Sequence, residues 1–180
     1  MPESKQDIMS LASQLGKYDG MPSRLPPVDQ WNPDLSGDMD MVITSGGAWI
    51  HEGDPIRRDK LVRLFSTILK REGDEYFLVT PVEKWRIKVE SSPFQIVLAQ
   101  IIDQGGANQS IRLITNTGDE FELDADHALF LNEDGLPEVE VRSQLNASLN
   151  RNVYYQLAEI ANEEEGGFFF FSNGAKQQIG

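Results

Sequence analysis

Apolar and polar residues alternate along the chain in patterns that predict many short strands and few helices. Residues 4–16 have the spacing of an amphipathic helix, with an apolar face made of Ile8, Leu11, Ala12 and Leu15. Four prolines between residues 22 and 33 then predict an extended arm, because each proline pushes its predecessor out of the helical region. We expect Trp31 to fasten this arm to the rest of the protein.

The next fifty residues have the pattern of a hairpin, a helix and a second hairpin. Residues 39–44 and 48–51 flank a Ser-Gly-Gly turn and predict the first hairpin. Asp54-Pro55 predicts the start of a helix that runs to about Arg71 and has Lys70 and Arg71 in its last turn. Its buried stripe consists of Leu61, Leu64, Phe65 and Ile68. Residues 76–80 and 84–89 predict the second hairpin, in which residues 84–89 alternate strictly between basic and apolar.

The remaining residues predict further strands and one more helix. Residues 94–102 fit either a helix or a strand, and we favour a strand because Pro93 and a glycine turn bound a β-branched run. More strands are predicted at residues 111–115, 120–123, 128–131 and 139–142, and a helix at residues 149–162. The last hairpin begins with four phenylalanines, Phe168 to Phe171, which we expect to form a strand buried on both faces.

A shift of 92 residues aligns the end of the chain with its first half. Residues 76–87 align with residues 168–179 without a gap, and the same shift places Phe65 on Leu157. We therefore expect residues 39–89 to superpose on residues 131–180 as an internal repeat. The predicted fold class is α+β, with two hairpin–helix–hairpin repeats of mostly antiparallel sheet that are linked by a central strand pair.

These elements predict four segments. Residues 1–35 form the helix and the proline-rich arm, and residues 36–92 form the first repeat. Residues 93–127 form the bridging strand pair, and residues 128–180 form the second repeat. The alternative is that residues 93–180 form one C-terminal domain.

Composition narrows the classes of function. The 180 residues include no cysteine, which excludes a disulfide framework, a thiolate metal site and a cysteine nucleophile. The net charge of −13 would repel nucleic acid and anionic membranes, so neither is a predicted partner. Residues 1–5 do not resemble a signal peptide, and no apolar run approaches the roughly 20 residues that span a bilayer. We expect a cytoplasmic protein whose partner is another protein or a small molecule, and we leave its oligomeric state open.

Motifs of catalysis and of cofactor binding are missing from the sequence. His51-Glu52 lacks the second histidine that a zinc-binding helix needs, and His127 is the only other histidine. No glycine loop has a phosphate-binding signature, and no nucleophile elbow is present. We therefore predict no catalytic residues, no metal and no cofactor, and we favour a non-enzymatic binding module with a possible signalling or regulatory role. The alternative is an enzyme of unrecognised class that uses carboxylates and His51 in a cleft.

Positive charge is concentrated in one span of this acidic chain. Nine of the sixteen basic residues lie between Arg57 and Lys88, together with only five acidic residues. The net charge of this span is +4, whereas that of the rest of the chain is −17. One interpretation is that the span forms ion pairs with the acidic remainder, within the chain or across a dimer. The other is an anion site at Arg57 and Arg58, with His51 and Lys60 as neighbours, which would take a small anionic molecule or an acidic protein segment.

Several blocks of the sequence resemble one bacterial family. The longest runs from Gly47 through Trp49-Ile-His51-Glu52-Gly53-Asp-Pro55-Ile-Arg57-Arg58 to Leu64-Phe65, and shorter ones are Thr80-Pro-Val-Glu-Lys84, Pro93-Phe94, Thr115-Asn116, Gly118-Asp119 and Arg142. From about Pro26 onward the chain is similar to domain of unknown function 1285. The resemblance implies a fold with repeated motifs and a bacterial source, with signalling as a suggested role, and it implies no catalytic residues.

Overall fold

The computed structural model of the chain describes residues 4–15 and 25–180, and its contacts divide the chain into two units, residues 1–91 and 92–180. The predictions for Gly16 and Pro22 lie outside the described residues. None of the helices in these ranges is long and apolar enough to cross a bilayer.

The first unit is built on a six-stranded sheet. Its elements are α1 (Ser4–Gln14), a 3-10 turn (Val28–Gln30), β1 (Gly37–Ile43), β2 (Trp49–His51), β3 (Asp54–Pro55), α2 (Asp59–Thr67), β4 (Leu69–Glu72), β5 (Glu75–Val79) and β6 (Lys84–Val89). The strand order is β3-β2-β1-β6-β5-β4. Strands β1 and β6 pair in parallel and all other neighbours are antiparallel, so two meanders are joined through one parallel pair.

Apolar residues of β1 and of both helices are buried in the core of this unit. Met41 and Ile43 alternate along β1 with no exposure, as a strand with one covered face requires. Phe65 of α2 is also fully buried. Ile8, Leu11 and Leu15 are buried on the first helix, which confirms its predicted amphipathic character.

The predicted start of α2 is wrong by four residues. Asp54–Pro55 is strand β3, in which Asp54 pairs with His51 and Pro55 with Ile50. Glu52 and Gly53 both have positive φ angles, 50° and 83°, and this geometry makes a tight hairpin turn. Proline is tolerated in β3 because β3 is an edge strand. The hairpin therefore replaces the predicted first helical turn.

The predicted end of α2 is also wrong. The helix ends at Thr67, and the hydroxyls of Ser66 and Thr67 donate to carbonyls three residues earlier in the chain. Lys70 and Arg71 belong to β4, which pairs with β5 across a turn at Gly73. They therefore do not face a helix terminus, and the predicted second hairpin is the latter part of a three-stranded meander.

The second unit contains two sheets and one helix. Its elements are β7 (Phe94–Ile102), β8 (Ser110–Thr115), β9 (Glu120–Glu122), β10 (Phe130–Leu131), β11 (Pro137–Arg142), β12 (Leu145–Leu149), α3 (Arg151–Ile160), β13 (Asn162–Glu164), β14 (Gly167–Ser172) and β15 (Ala175–Gln178). Six strands form a sheet of order β10-β11-β12-β7-β8-β9, with β12 and β7 parallel. The last three strands form a separate antiparallel sheet, β13-β14-β15.

The α+β fold class is confirmed, and the predicted order of elements recurs. A meander, a helix and a second meander follow each other as β1–β3, α2 and β4–β6, and again as β10–β12, α3 and β13–β15. The 92-residue shift carries α2 onto α3 and β4 onto β13 within one or two residues. The pairing differs, because the first meander of the second unit joins β7 and leaves β13–β15 as their own sheet.

The phenylalanine run is less buried than predicted. Phe170 is buried with 2% exposure, whereas Phe168 and Phe171 are 47% and 52% exposed. Strand β14 is the centre of a three-stranded sheet in which Phe170 and Ser172 lie on the covered face. The expectation of burial on both faces is therefore wrong.

Candidate functional site

Arg57 and Arg58 lie on the connection between β3 and α2, and Lys60 is the second residue of α2. Arg58 has extended backbone and precedes the first helical residue, Lys60 is in the first turn of α2, and Arg63 follows one turn later. All four side chains are exposed. No hydrogen bond or ion pair from a described residue reaches any of them. We call these four residues the basic patch.

His51 is not part of this exposed patch. Its side chain is buried on β2, with 9% exposure, and Nδ1 lies 3.8 Å from Glu52 Oε2. Its Nε2 is buried and has no hydrogen-bond partner among the described residues. In the described ranges, no three His, Asp or Glu side chains are grouped as a metal site requires.

Three other cations of the basic span form ion pairs within the unit. Lys84 Nζ lies 2.6 Å from Glu72 Oε2, and Lys70 Nζ lies 3.5 Å from Glu72 Oε1. Arg86 Nη1 lies 2.8 Å from Asp38 Oδ1. We call Lys70, Lys84 and Arg86 the paired cations. Intramolecular pairing, the first interpretation of the basic span, therefore describes these three residues.

Two of the paired cations also cover an aromatic ring. Lys84 Nζ and Arg86 Cζ lie 4.3 and 5.8 Å from the ring centroid of Phe77, which is buried. The alternation along β6 predicted a wet basic face, but Lys84 and Arg86 are half-buried and only Lys88 is exposed. The side chains of Lys84 and Arg86 therefore cover the ring of Phe77 and make this face a second, smaller packing surface.

Lys70 fastens the N-terminal arm. Its ammonium donates to the backbone carbonyl of Trp31 at 3.0 Å and to Asn32 Oδ1 at 2.9 Å. Trp31 itself is half-buried. A buried ammonium therefore holds the arm through the backbone carbonyl of Trp31, whereas the role predicted for Trp31 itself stays a prediction.

Glu72 is the carboxylate that Lys70 and Lys84 share. Its hydrogen bond with Lys84 lowers the pKa of its carboxyl below the ordinary value of 4.5, with attraction to Lys84 and Lys70 adding to this effect and burial opposing it. Because the pKa of Glu72 is lower in the folded than in the unfolded state, this carboxylate stabilises the folded state at pH values above the unfolded pKa. This stabilisation is lost as the pH falls through the folded pKa.

We expect Glu72→Gln to destabilise the protein at neutral pH, because it removes the charge that pairs with Lys84 and Lys70. The difference from the unmodified chain should shrink as the pH falls below 4.5 and the native carboxyl is protonated. Urea unfolding of both proteins from neutral pH to about pH 3 measures this difference. Glu133→Gln, an exposed site in the second unit, is the control. A difference that is constant with pH would contradict the assignment.

A polar cluster in the second unit surrounds Asp119. Its Oδ2 accepts from the hydroxyls of Thr117 at 2.9 Å and Thr115 at 3.2 Å. Arg142 Nε lies 3.4 Å from Asp119 Oδ1, and Arg142 Cζ lies 5.0 Å from the ring centroid of Phe94. These groups satisfy each other, so the cluster fixes the β8–β9 turn against β11. No site was predicted here, although alternating polar residues at 115, 117 and 119 mark the turn in the sequence.

Comparison with known proteins shows which family has this architecture. The model of the N-terminal domain of the domain of unknown function DUF1285 matches residues 26–92, and the model of the DUF1285 C-terminal domain matches residues 93–179. The chain belongs to the DUF1285 family. The boundary between the two family domains lies within one residue of the division between the two units.

Two solved DUF1285 structures are similar to the chain. A DUF1285 family protein from Silicibacter pomeroyi DSS-3 is 34% identical, with a TM-score of 0.81, over 94% of this chain and 93% of that one. A DUF1285 family protein from Shewanella baltica OS155 is 28% identical, with a TM-score of 0.55, over 69% of this chain and 94% of that one. No curated protein matches the chain. The family carries no described activity, so function has to be argued from the basic patch.

Proposed function

We propose that this DUF1285 protein is a non-enzymatic binding module whose basic patch docks an acidic segment of a partner protein. The observation that carries the proposal is the contrast between two sets of cations in the basic span. Lys70, Lys84 and Arg86 are neutralised by carboxylates, whereas no described residue pairs with the four cations of the patch. In a chain with a net charge of −13, exposed cations that no described residue pairs with support binding of an acidic partner.

The chemistry of the patch suits carboxylates. Three of its four members are arginines, and each guanidinium offers a planar fork that matches a carboxylate or a phosphate. Asp54 and Asp59 lie in the same stretch and reduce the net charge of residues 54–63 to +2. Because the four side chains are exposed rather than set in a cavity, an extended acidic segment fits them better than a small anion, which concave sites favour.

The wider role that we propose is regulation in the bacterial cytoplasm. Both solved relatives come from bacteria, which supports a bacterial source. The acidic average charge supports a protein partner over nucleic acid or an anionic membrane. The alternative of an enzyme that uses carboxylates and His51 in a cleft stays a prediction, with no specific observation in its favour.

The proposal predicts that hexaglutamate binds the full chain at low salt and that Arg57→Ala/Arg58→Ala weakens this binding about three- to tenfold, as expected for two exposed ion pairs. Isothermal titration measures the affinity. The control is Lys88→Ala/Arg151→Ala, which removes two exposed cations elsewhere and should change affinity less than about twofold.

A parallel titration with inorganic phosphate separates the two kinds of anion. If phosphate binding depends on Arg57 and Arg58 and hexaglutamate does not bind, the ligand of the basic patch is a small anion and not an acidic segment. If both double variants bind hexaglutamate as the unmodified chain does, the basic patch is ordinary surface and the proposal is wrong.

A further inference from the structure

The three-stranded sheet β13-β14-β15 places its phenylalanines on two faces. Side chains alternate along a strand, so Phe169 and Phe171 share one face of β14 while Phe168 and Phe170 share the other. Phe170 is buried, whereas Phe168 and Phe171 each leave about half of their surface exposed, at 47% and 52%. The sheet therefore presents one half-exposed phenylalanine ring on each face.

The first face contains a complete cation–ring–carboxylate arrangement. Lys176 Nζ lies 4.4 Å from the ring centroid of Phe169 and forms an ion pair with Glu164. Lys176 is on β15 and Glu164 is on β13, so the pair spans the central strand on which Phe169 lies. The negative face of an aromatic ring attracts a cation, and the carboxylate holds that cation in place.

The opposite face, on which Phe170 and Ser172 are buried, also carries a ring beside a carboxylate. Phe168 and Glu163 are directly paired in the register of β14 and β13, so their Cβ atoms are about 5 Å apart on one face. Glu163 is exposed, and no described residue bonds to its carboxylate. Within the described ranges, no cation is placed over Phe168.

The backbone of Phe168 is held by two hydrogen bonds. Its backbone N–H donates to the carbonyl of Gly180 at 2.8 Å, and its carbonyl accepts from the N–H of Ile179 at 3.0 Å. Both bonds fix the strand that carries the ring, so little backbone ordering is needed when a ligand covers it.

We propose that Phe168 and Glu163 bind an arginine or lysine side chain of a basic partner segment. That cation would lie over the ring of Phe168 and pair with Glu163, repeating the arrangement of Lys176, Phe169 and Glu164 on the other face. The charge of the unit is complementary to such a partner, because residues 92–180 contain fourteen acidic and four basic residues. The proposal is independent of the basic patch, which lies in the first unit.

Fluorescence anisotropy of labelled hexaarginine, titrated with the full chain, tests the proposal. Phe168→Ala and Glu163→Gln should each weaken binding about two- to fivefold, the size expected for one exposed cation–ring contact or one exposed ion pair. The matched controls are Phe171→Ala, which removes the exposed ring of the other face, and Glu165→Gln, which removes a neighbouring charge. Both controls should change affinity less than about twofold.

Three outcomes would overturn the proposal. Equal weakening by all four variants would show diffuse attraction to an acidic surface, and unchanged binding by Phe168→Ala and Glu163→Gln would show that the pair takes no part. The third outcome comes from sedimentation velocity of the chain alone. If the chain is a dimer and Phe168→Ala dissociates it, this face binds a second copy of the chain and not a basic segment. Glu163→Gln leaves the ring intact, so it keeps the test valid if Phe168→Ala fails to fold.

Discussion

Phe65→Ala should lower the free energy of unfolding of the first unit by about 3–5 kcal/mol, the loss that accompanies removal of a buried phenylalanine. The ring of Phe65 is fully buried on α2. Truncation would remove its apolar contacts and leave a cavity that the surrounding side chains fill only in part. Because whole domains are stable by about 5–15 kcal/mol, this one change would consume a large part of the stability of the unit.

Tryptophan fluorescence during urea unfolding measures this loss in the right unit. All three tryptophans, Trp31, Trp49 and Trp85, lie in residues 1–91, so their emission reports on the first unit. Val82→Ala is the control, because Val82 is 73% exposed and its truncation should cost less than about 0.5 kcal/mol. A loss below about 1 kcal/mol for Phe65→Ala would mean that α2 presents a different face to the core.

Turn chemistry explains why the helices could be predicted but not their bounds. The apolar stripe located α2 correctly, whereas its start was displaced because Asp54-Pro55 suits a helix terminus as well as an edge strand. Only pairing with β2 distinguishes the two. Strand β12 was missed for a related reason: its hairpin turn uses Ser143 and Gln144, both with positive φ, where glycine or asparagine is the usual signal.

Sheet register explains how much of the candidate site could be predicted. Composition alone found the basic span, because charge can be counted along the sequence. The division into the basic patch and the paired cations could not be predicted, since Glu72 on β4 meets Lys84 on β6 across the intervening strand β5. The exposed pair of Phe168 and Glu163 could not be predicted either, because these residues come together only through the register of β13 and β14.

Leu157→Ala should lower the stability of the second unit by about 2–5 kcal/mol, as buried leucine truncations do. Leu157 is fully buried on α3 and occupies the position that corresponds to Phe65 under the 92-residue shift. The helix itself is well anchored, because Asn150 Oδ1 accepts from the N–H of Val153 at 2.8 Å and caps its first turn. The cost of the change should therefore come from lost packing rather than from fraying of the helix.

Tyr155→Ala on the same helix is the matched control for Leu157→Ala. Tyr155 is 52% exposed, so its truncation should cost less than about 1 kcal/mol. Leu157→Met keeps the volume of the side chain and should cost less than about 1.5 kcal/mol. Native-state hydrogen exchange of α3 amides in the three variants measures these losses within the second unit. Equal losses for Leu157→Ala and Tyr155→Ala would contradict the assignment of Leu157 to the core and, with it, the correspondence of α3 to α2.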